Sequence, residues 1–90
     1  MTEDPYAVDP VNAREQLGIA LRLLREEKGL TQEELGNRLH MDYRYLRRIE
    51  KGERSVSWYT VLHFMRCMEG TLRELADQLP ERPDAPTQPD

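Results

Sequence analysis

Between Tyr43 and Lys51 the chain reads YRYLRRIEK. At helical spacing Leu46 and Ile49 face inward, leaving Tyr43, Arg44, Tyr45, Arg47, Arg48 and Lys51 outside. These residue types recognise rather than catalyse. An arginine fork matches phosphate, and it can also donate to both major-groove acceptors of a guanine, worth about 1–3 kcal/mol of discrimination. Arg44 and Arg48 are four apart and share a face, so if the partner is a nucleic acid one of them is expected to read a G. Tyr43 has two readings: a contact to a thymine methyl or a phosphate, or a packing role against Met41 at the helix start. Tyr45 reads as a phosphate contact or a partial core residue. The plain alternative for the whole face is a solvated cationic surface.

Other chemistry is thin. His40 and His63 are far apart and have no nucleophile or metal partner in sequence, so no enzyme, cofactor or metal site is expected. The single cysteine, Cys67, excludes an internal disulfide and reads as a small packed hydrophobe, with a redox switch as the lesser alternative. Trp58 and the methionines fall at helical spacing and read as core. No stretch is apolar enough to span a membrane, and the acidic start lacks a signal-peptide pattern, so a cytoplasmic location and no membrane partner are expected.

Ninety residues with Pro-rich, polar ends leave roughly 70 to pack, near the lower limit for an unaided core. The net charge of −4 hides an uneven distribution. Residues 14–66 hold eleven Arg or Lys against eight Asp or Glu, +3, whereas the flanks hold two against nine, −7. The middle is basic and the ends acidic, so the sum does not exclude a nucleic-acid partner. The acidic flanks either solubilise the chain or weaken non-specific binding by repelling phosphate.

The elements that must position the cationic face follow from caps and periodicity. Residues 1–8 read as a flexible N-terminal arm. Asp9-Pro10 starts a first helix that Lys28-Gly29 closes; Leu17, Leu21 and Leu24 form its buried stripe. Ile19 and Leu23 lie on another face and need a second partner. Thr31 and Glu34 form a capping box opening a second helix, with Leu35 and Leu39 inward and Gly36 implying a close crossing. His40-Met41-Asp42 is a tight turn with Asp42 as the next N-cap, and the third helix covers about 43–51, ended by Gly52. Ser57 caps a fourth helix, about 58–69, with Trp58, Val61, Leu62, Met65 and Met68 as its apolar face and Gly70 as its stop. Thr71 and Glu74 form a second capping box, and Leu72, Leu75, Ala76 and Leu79 give the fifth helix an apolar edge. The domain spans 9–79, and the Pro-rich acidic tail, 80–90, is expected to be disordered.

At TQEEL, RRIEKGERSVS and the surrounding leucine spacing, residues 14–68 resemble the helix-turn-helix family of phage Cro and repressor proteins, the XRE family. Tyr45 and the run GERSVS are similar to the controller proteins of restriction-modification systems. The resemblance implies an all-α, compact five-helix, lambda-repressor-like domain whose third helix enters the major groove of double-stranded DNA. It implies base contacts from Tyr43, Arg44 and Arg48, and backbone or mixed contacts from Gln32, Tyr45, Arg47, Lys51 and Arg54. Arg25 and Glu50 match a partly buried ion pair linking the first and third helices. At His40 the family generally has a glycine with positive φ, a region histidine tolerates with some strain.

A sequence-specific regulator that binds a pseudo-palindromic operator as a homodimer is the function so implied. Its dimer surface would combine the fifth helix, with Leu72, Leu75 and Leu79, and the Ile19/Leu23 stripe; the alternative is that these two simply pack on each other within one chain. Glu33, Glu34 and Glu53 are available to touch RNA polymerase. A second functional reading is a protein-interaction module of the same fold, an antitoxin or adaptor engaging a cognate protein.

Overall fold

Every helix starts at a side chain able to accept its orphan amides. In a computed structural model that describes residues 4 and 6–80, the helices are α1 (Pro10–Glu27), α2 (Gln32–Leu39), α3 (Tyr43–Glu50), α4 (Trp58–Met68) and α5 (Leu72–Gln78). Asp9 accepts from the Val11 amide, Thr31 from Glu34, Asp42 from Arg44, Ser57 from Thr60 and Thr71 from Glu74. Both expected capping boxes are closed reciprocally, satisfying two orphan donors at each start. No strand occurs among the described residues. The tail at 81–90 and the arm at 1–3 and 5 lie outside the described residues. Within the described part of the arm, Tyr6 and Val8 are exposed.

α1 packs against α3 and α5, and α2 against α3 and α4. The core between them is built from Ala20, Leu21 and Leu24 of α1, Leu35 and Leu39 of α2, Leu46 and Ile49 of α3, Val61, Phe64, Met65 and Met68 of α4, and Leu75 of α5. Leu17, Met41, Tyr45, Val56 and Cys67 pack at its border. Polar contacts lock the periphery: Lys28 Nζ donates to Glu74 at 2.9 Å, Gln78 donates to Glu27, and Arg38 donates to the Cys67 carbonyl at 2.9 Å.

Two close approaches set the tilt of α3. A Cβ at Gly36 would lie 2.8 Å from the Met41 carbonyl oxygen, so the chain entering α3 crosses α2 where only glycine fits. A Cβ at Gly18 would lie 2.5 Å from the Ile49 oxygen and 2.6 Å from that of Glu50, so α1 presses on the end of α3. Between α2 and α3, His40 sits at φ 55, ψ 44, the left-handed region expected of it.

Three expectations are corrected. Trp58 is 64% exposed rather than part of the core, because it occupies the first position of α4, beyond the layer that Val61 and Phe64 enter. Leu62 is also exposed, about 100° round the helix from the inward Val61. α4 is ended by Glu69, at φ 55, not by Gly70.

Candidate nucleic-acid interface

α3 is short, and its inward face is fully used: Leu46 and Ile49 are buried in the core and Glu50 is buried beneath it. The opposite face carries Arg44, Arg47 and Arg48, all exposed, with Lys51 at the C-cap also exposed. Among the described residues neither Arg47, Arg48 nor Lys51 has a carboxylate partner within ion-pair distance. Three guanidinium groups and an ammonium on a helix this short are attractive to a polyanion.

Beneath that face lies a buried polar network. Arg25 of α1 donates through Nε to Glu50 Oε2 at 2.6 Å and through Nη2 to Glu50 Oε1 at 3.0 Å. Its Nη1 donates to the Leu30 carbonyl at 2.7 Å, and Gln32 Nε2 donates to Glu50 Oε1 at 3.0 Å. One carboxylate thus gathers α1, the start of α2 and the end of α3. A bidentate fork has little angular freedom, so the network fixes the tilt of α3 relative to both neighbours. The Gln32 side chain, a candidate backbone contact, is joined to Glu50 in the folded chain and is half-buried.

The tyrosines divide. Tyr43, at the first position of α3, is 42% exposed and lines a shallow depression with Arg25, Thr31, Gln32 and Glu33. Tyr45 is half-buried against the core, and the Arg54 guanidinium lies over its ring, 4.7 Å from the centroid. The ring therefore holds Arg54 beside the exit of α3. Arg44 folds back on its own cap: Nε lies 3.2 Å from Asp42 Oδ1 and Nη2 3.1 Å from Oδ2. The Arg44 side chain, then its backbone amide, hold the Asp42 carboxyl below the ordinary aspartate range, and the same pairing raises Arg44.

The residues offered as one apolar surface are not brought together. Ile19 lines a depression with Glu15, Arg22, Gln32, Arg47, Glu50, Lys51 and Glu53, on the side of α1 that meets α3. Leu72, Leu75 and Leu79 line a different groove with Leu17, Val56, Trp58 and Val61. Leu23 is half-buried. α5 does pack on α1 within the chain, burying Leu75, but Leu72 and Leu79 remain 42% and 44% exposed.

A family model described as a helix-turn-helix domain matches residues 16–79, from the second turn of α1 to the end of α5. The chain belongs to the helix-turn-helix family. Within it, this domain is of the XRE type and is similar to the restriction-modification controller protein C.AhdI from Aeromonas hydrophila, at 34% identity over 71% of this chain and 97% of that one, with a TM-score of 0.66. It is also similar to the clp gene regulator ClgR from Corynebacterium glutamicum, at 29% identity over 72% of this chain and 69% of that one, TM-score 0.67. The fold recurs in the controller protein C.Esp1396I, solved as a tetramer with its natural 35 base-pair operator, at 21% identity over 80% of this chain and 96% of that one, TM-score 0.65. No curated protein matches the chain.

The α2-turn-α3 unit is accordingly the helix-turn-helix, and the family is one of DNA-binding regulators rather than enzymes. Among the described residues no cluster of His, Cys, Asp and Glu is arranged to hold a metal, and no helix is long and apolar enough to cross a membrane. Two positions were missed in the sequence. Gly18 carried the same mid-helix signal as Gly36. The Asp42 to Arg44 pair was masked by reading Asp42 only as a cap.

Proposed function

We propose that this protein is a sequence-specific transcriptional regulator that binds a pseudo-palindromic operator as a homodimer, with α3 in the major groove of each half-site. The observation that carries the reading is the outward face of α3: Arg44, Arg47, Arg48 and Lys51 exposed on a helix whose angle is set by the Arg25–Glu50–Gln32 network. Arg44, Arg48 and Tyr43 take the base edges; Arg47, Lys51, Tyr45, Arg54 and the Gln32 end of α2 take backbone or mixed contacts, where a helix N-terminus already favours an anion. The dimer contact is assigned to the apolar groove between the start of α4 and α5, where Trp58, Leu72 and Leu79 leave apolar surface in water. Two half-sites about one helical turn apart are the geometric consequence of pairing. RNA polymerase contact through Glu33, Glu34 and Glu53 is compatible with this arrangement, since all three are exposed.

The test is to select bound fragments from the source genome and measure affinity for the recovered site against salt. A steep fall in affinity is expected, each neutralised phosphate adding about 0.9 to the logarithmic slope. Arg44→Ala with Arg48→Ala is expected to abolish selective binding. Selection that recovers no site, or binding indifferent to the double substitution, would sink the proposal and favour the antitoxin or adaptor reading.

A further inference from the structure

Four of the five N-caps ask no explanation beyond capping. Thr31, Ser57 and Thr71 use a hydroxyl, and Asp9 caps α1 without pairing with any cation among the described residues. Asp42 differs. Its Oδ1 accepts the Arg44 amide at 2.8 Å, which is all that capping needs, and then accepts Arg44 Nε at 3.2 Å as well. Its second oxygen, Oδ2, has a single partner, Arg44 Nη2 at 3.1 Å. A carboxylate at the start of a phosphate-facing helix repels the backbone it approaches, and a serine would cap as well without that penalty. The feature a carboxylate adds over a hydroxyl is its grip on Arg44.

The grip is selective in what it leaves free. A guanidinium has five N–H donors, and the side-on contact uses Nε and one hydrogen of Nη2. Three remain, and two of them, the outer hydrogen of Nη2 and its neighbour on Nη1, form the end-on fork that matches the N7 and O6 acceptors of guanine. The carboxylate is itself anchored to the α3 backbone by the cap bond, so the guanidinium becomes tied to the helix frame instead of swinging on a long stem. We propose that Asp42 is a positioning residue for Arg44, holding the inner edge of its guanidinium so that the outer Nη1/Nη2 edge reads a guanine at one defined base pair. This deepens the DNA-binding reading and rests on it. In water an exposed pair of this kind is weak; against DNA, with solvent displaced, the fixed orientation turns into base selectivity.

The experiment measures competition binding of the full chain to the recovered site and to versions changed at each base pair in turn, for wild type, Arg44→Ala, Asp42→Asn and Asp42→Ser. Asparagine and serine both retain an oxygen for the cap, and circular dichroism checks that the helix content holds. Wild type is expected to prefer G at one pair by about 10- to 100-fold, and Arg44→Ala to erase that preference at that pair alone. Both Asp42 variants are expected to reduce the preference at the same pair at least about fivefold, while affinity for sites changed there stays level or rises, as loss of an acid near phosphate requires. Retention of the preference in the Asp42 variants when Arg44→Ala has lost it would overturn the Asp42 role alone. So would an equal weakening at every base pair, which marks a merely structural part. If Arg44→Ala leaves all preferences unchanged, the inference falls while the DNA-binding reading, which Arg48 can carry, stands; if wild type binds no site, both fall together.

Discussion

The Arg25 guanidinium holds both carboxylate oxygens of Glu50, twenty-five residues away, at 2.6 and 3.0 Å, with side chains only 9% and 2% exposed. Such a pair contributes little net stability when intact, because desolvation offsets the attraction, yet breaking it strands a buried charge. Glu50→Gln is therefore expected to cost about 3–5 kcal/mol. For a domain of this size each kcal/mol lowers Tm by about 4–8 °C, so a thermal melt should show a fall well above 10 °C. A fall of only a degree or two would mean that water reaches the pair.

Gly18 and Gly36 provide a contest between two local effects. Helix propensity favours alanine by about 1 kcal/mol at each. The added Cβ would overlap backbone oxygens, at 2.5 Å for Gly18 and 2.8 Å for Gly36, and backbone in a packed crossing has little room to give. Overlap should win, with a net cost of about 1–3 kcal/mol, larger at Gly18. Gly70→Ala is the control: its nearest neighbour is the end of the Leu24 side chain at 3.3 Å, and a change near zero is expected. Equal effects at Gly18 and Gly70 in urea melts would contradict the proposed crossing.

His40 holds a left-handed conformation that a glycine adopts without penalty. The conformation costs a non-glycine residue about 1–2 kcal/mol. Glycine loses about 0.4–1 kcal/mol through the freedom it adds to the unfolded chain. His40→Gly should therefore raise stability by about 0.5–1 kcal/mol, because the imidazole makes no hydrogen bond among the described residues that would be forfeited. A lower Tm in the variant would show that the imidazole matters.

Acid should loosen the helix starts. Glu34 is held below the ordinary glutamate range first by the Thr31 amide; Glu74 is held low first by Lys28 and then by the Thr71 amide. A depressed carboxylate stabilises the fold only while it is ionised. That contribution is fully present above the unfolded value of about 4.3 and disappears as pH falls through the lower folded value. Tm should be level above about pH 5.5 and decline below about pH 4.5. In Glu34→Gln with Glu74→Gln the boxes can still close without a charge, so part of that decline should vanish; an unchanged acid limb would place the effect elsewhere.

Trp58 reports on the groove it shares with Leu72 and Leu79. If the groove closes in a homodimer, the single tryptophan moves from water into apolar surroundings. Its emission should shift to the blue as protein concentration rises, and Leu79→Glu should prevent the shift. Dimers measured by sedimentation with no change in Trp58 emission would place the contact on another face.

Much of the architecture could be read from neighbours in the chain. Caps, capping boxes and the Gly36 crossing depend on residues within a turn or two of one another, and the inward stripes of α1, α2 and α3 repeat at helical spacing; these expectations match the folded chain closely. Trp58 failed because an apolar residue at helical spacing says which side of α4 it lies on, not whether the core extends that far. The cap residue Asp42 was recognised in its local role and its second oxygen overlooked.

By itself the sequence determined five helices with cations on the outer face of α3, because those properties are written in short-range periodicity and composition, and its resemblance at TQEEL and RRIEKGERSVS pointed to the XRE-type helix-turn-helix family to which the chain belongs. Only the tertiary structure decided that Gln32 is tied to Glu50, that Ile19 and the α5 leucines belong to separate surfaces, and that Gly18 sets the spacing of α1 and α3. Each of these joins residues far apart in the chain, where hydrogen-bond geometry and packed volume, not sequence spacing, choose the partner.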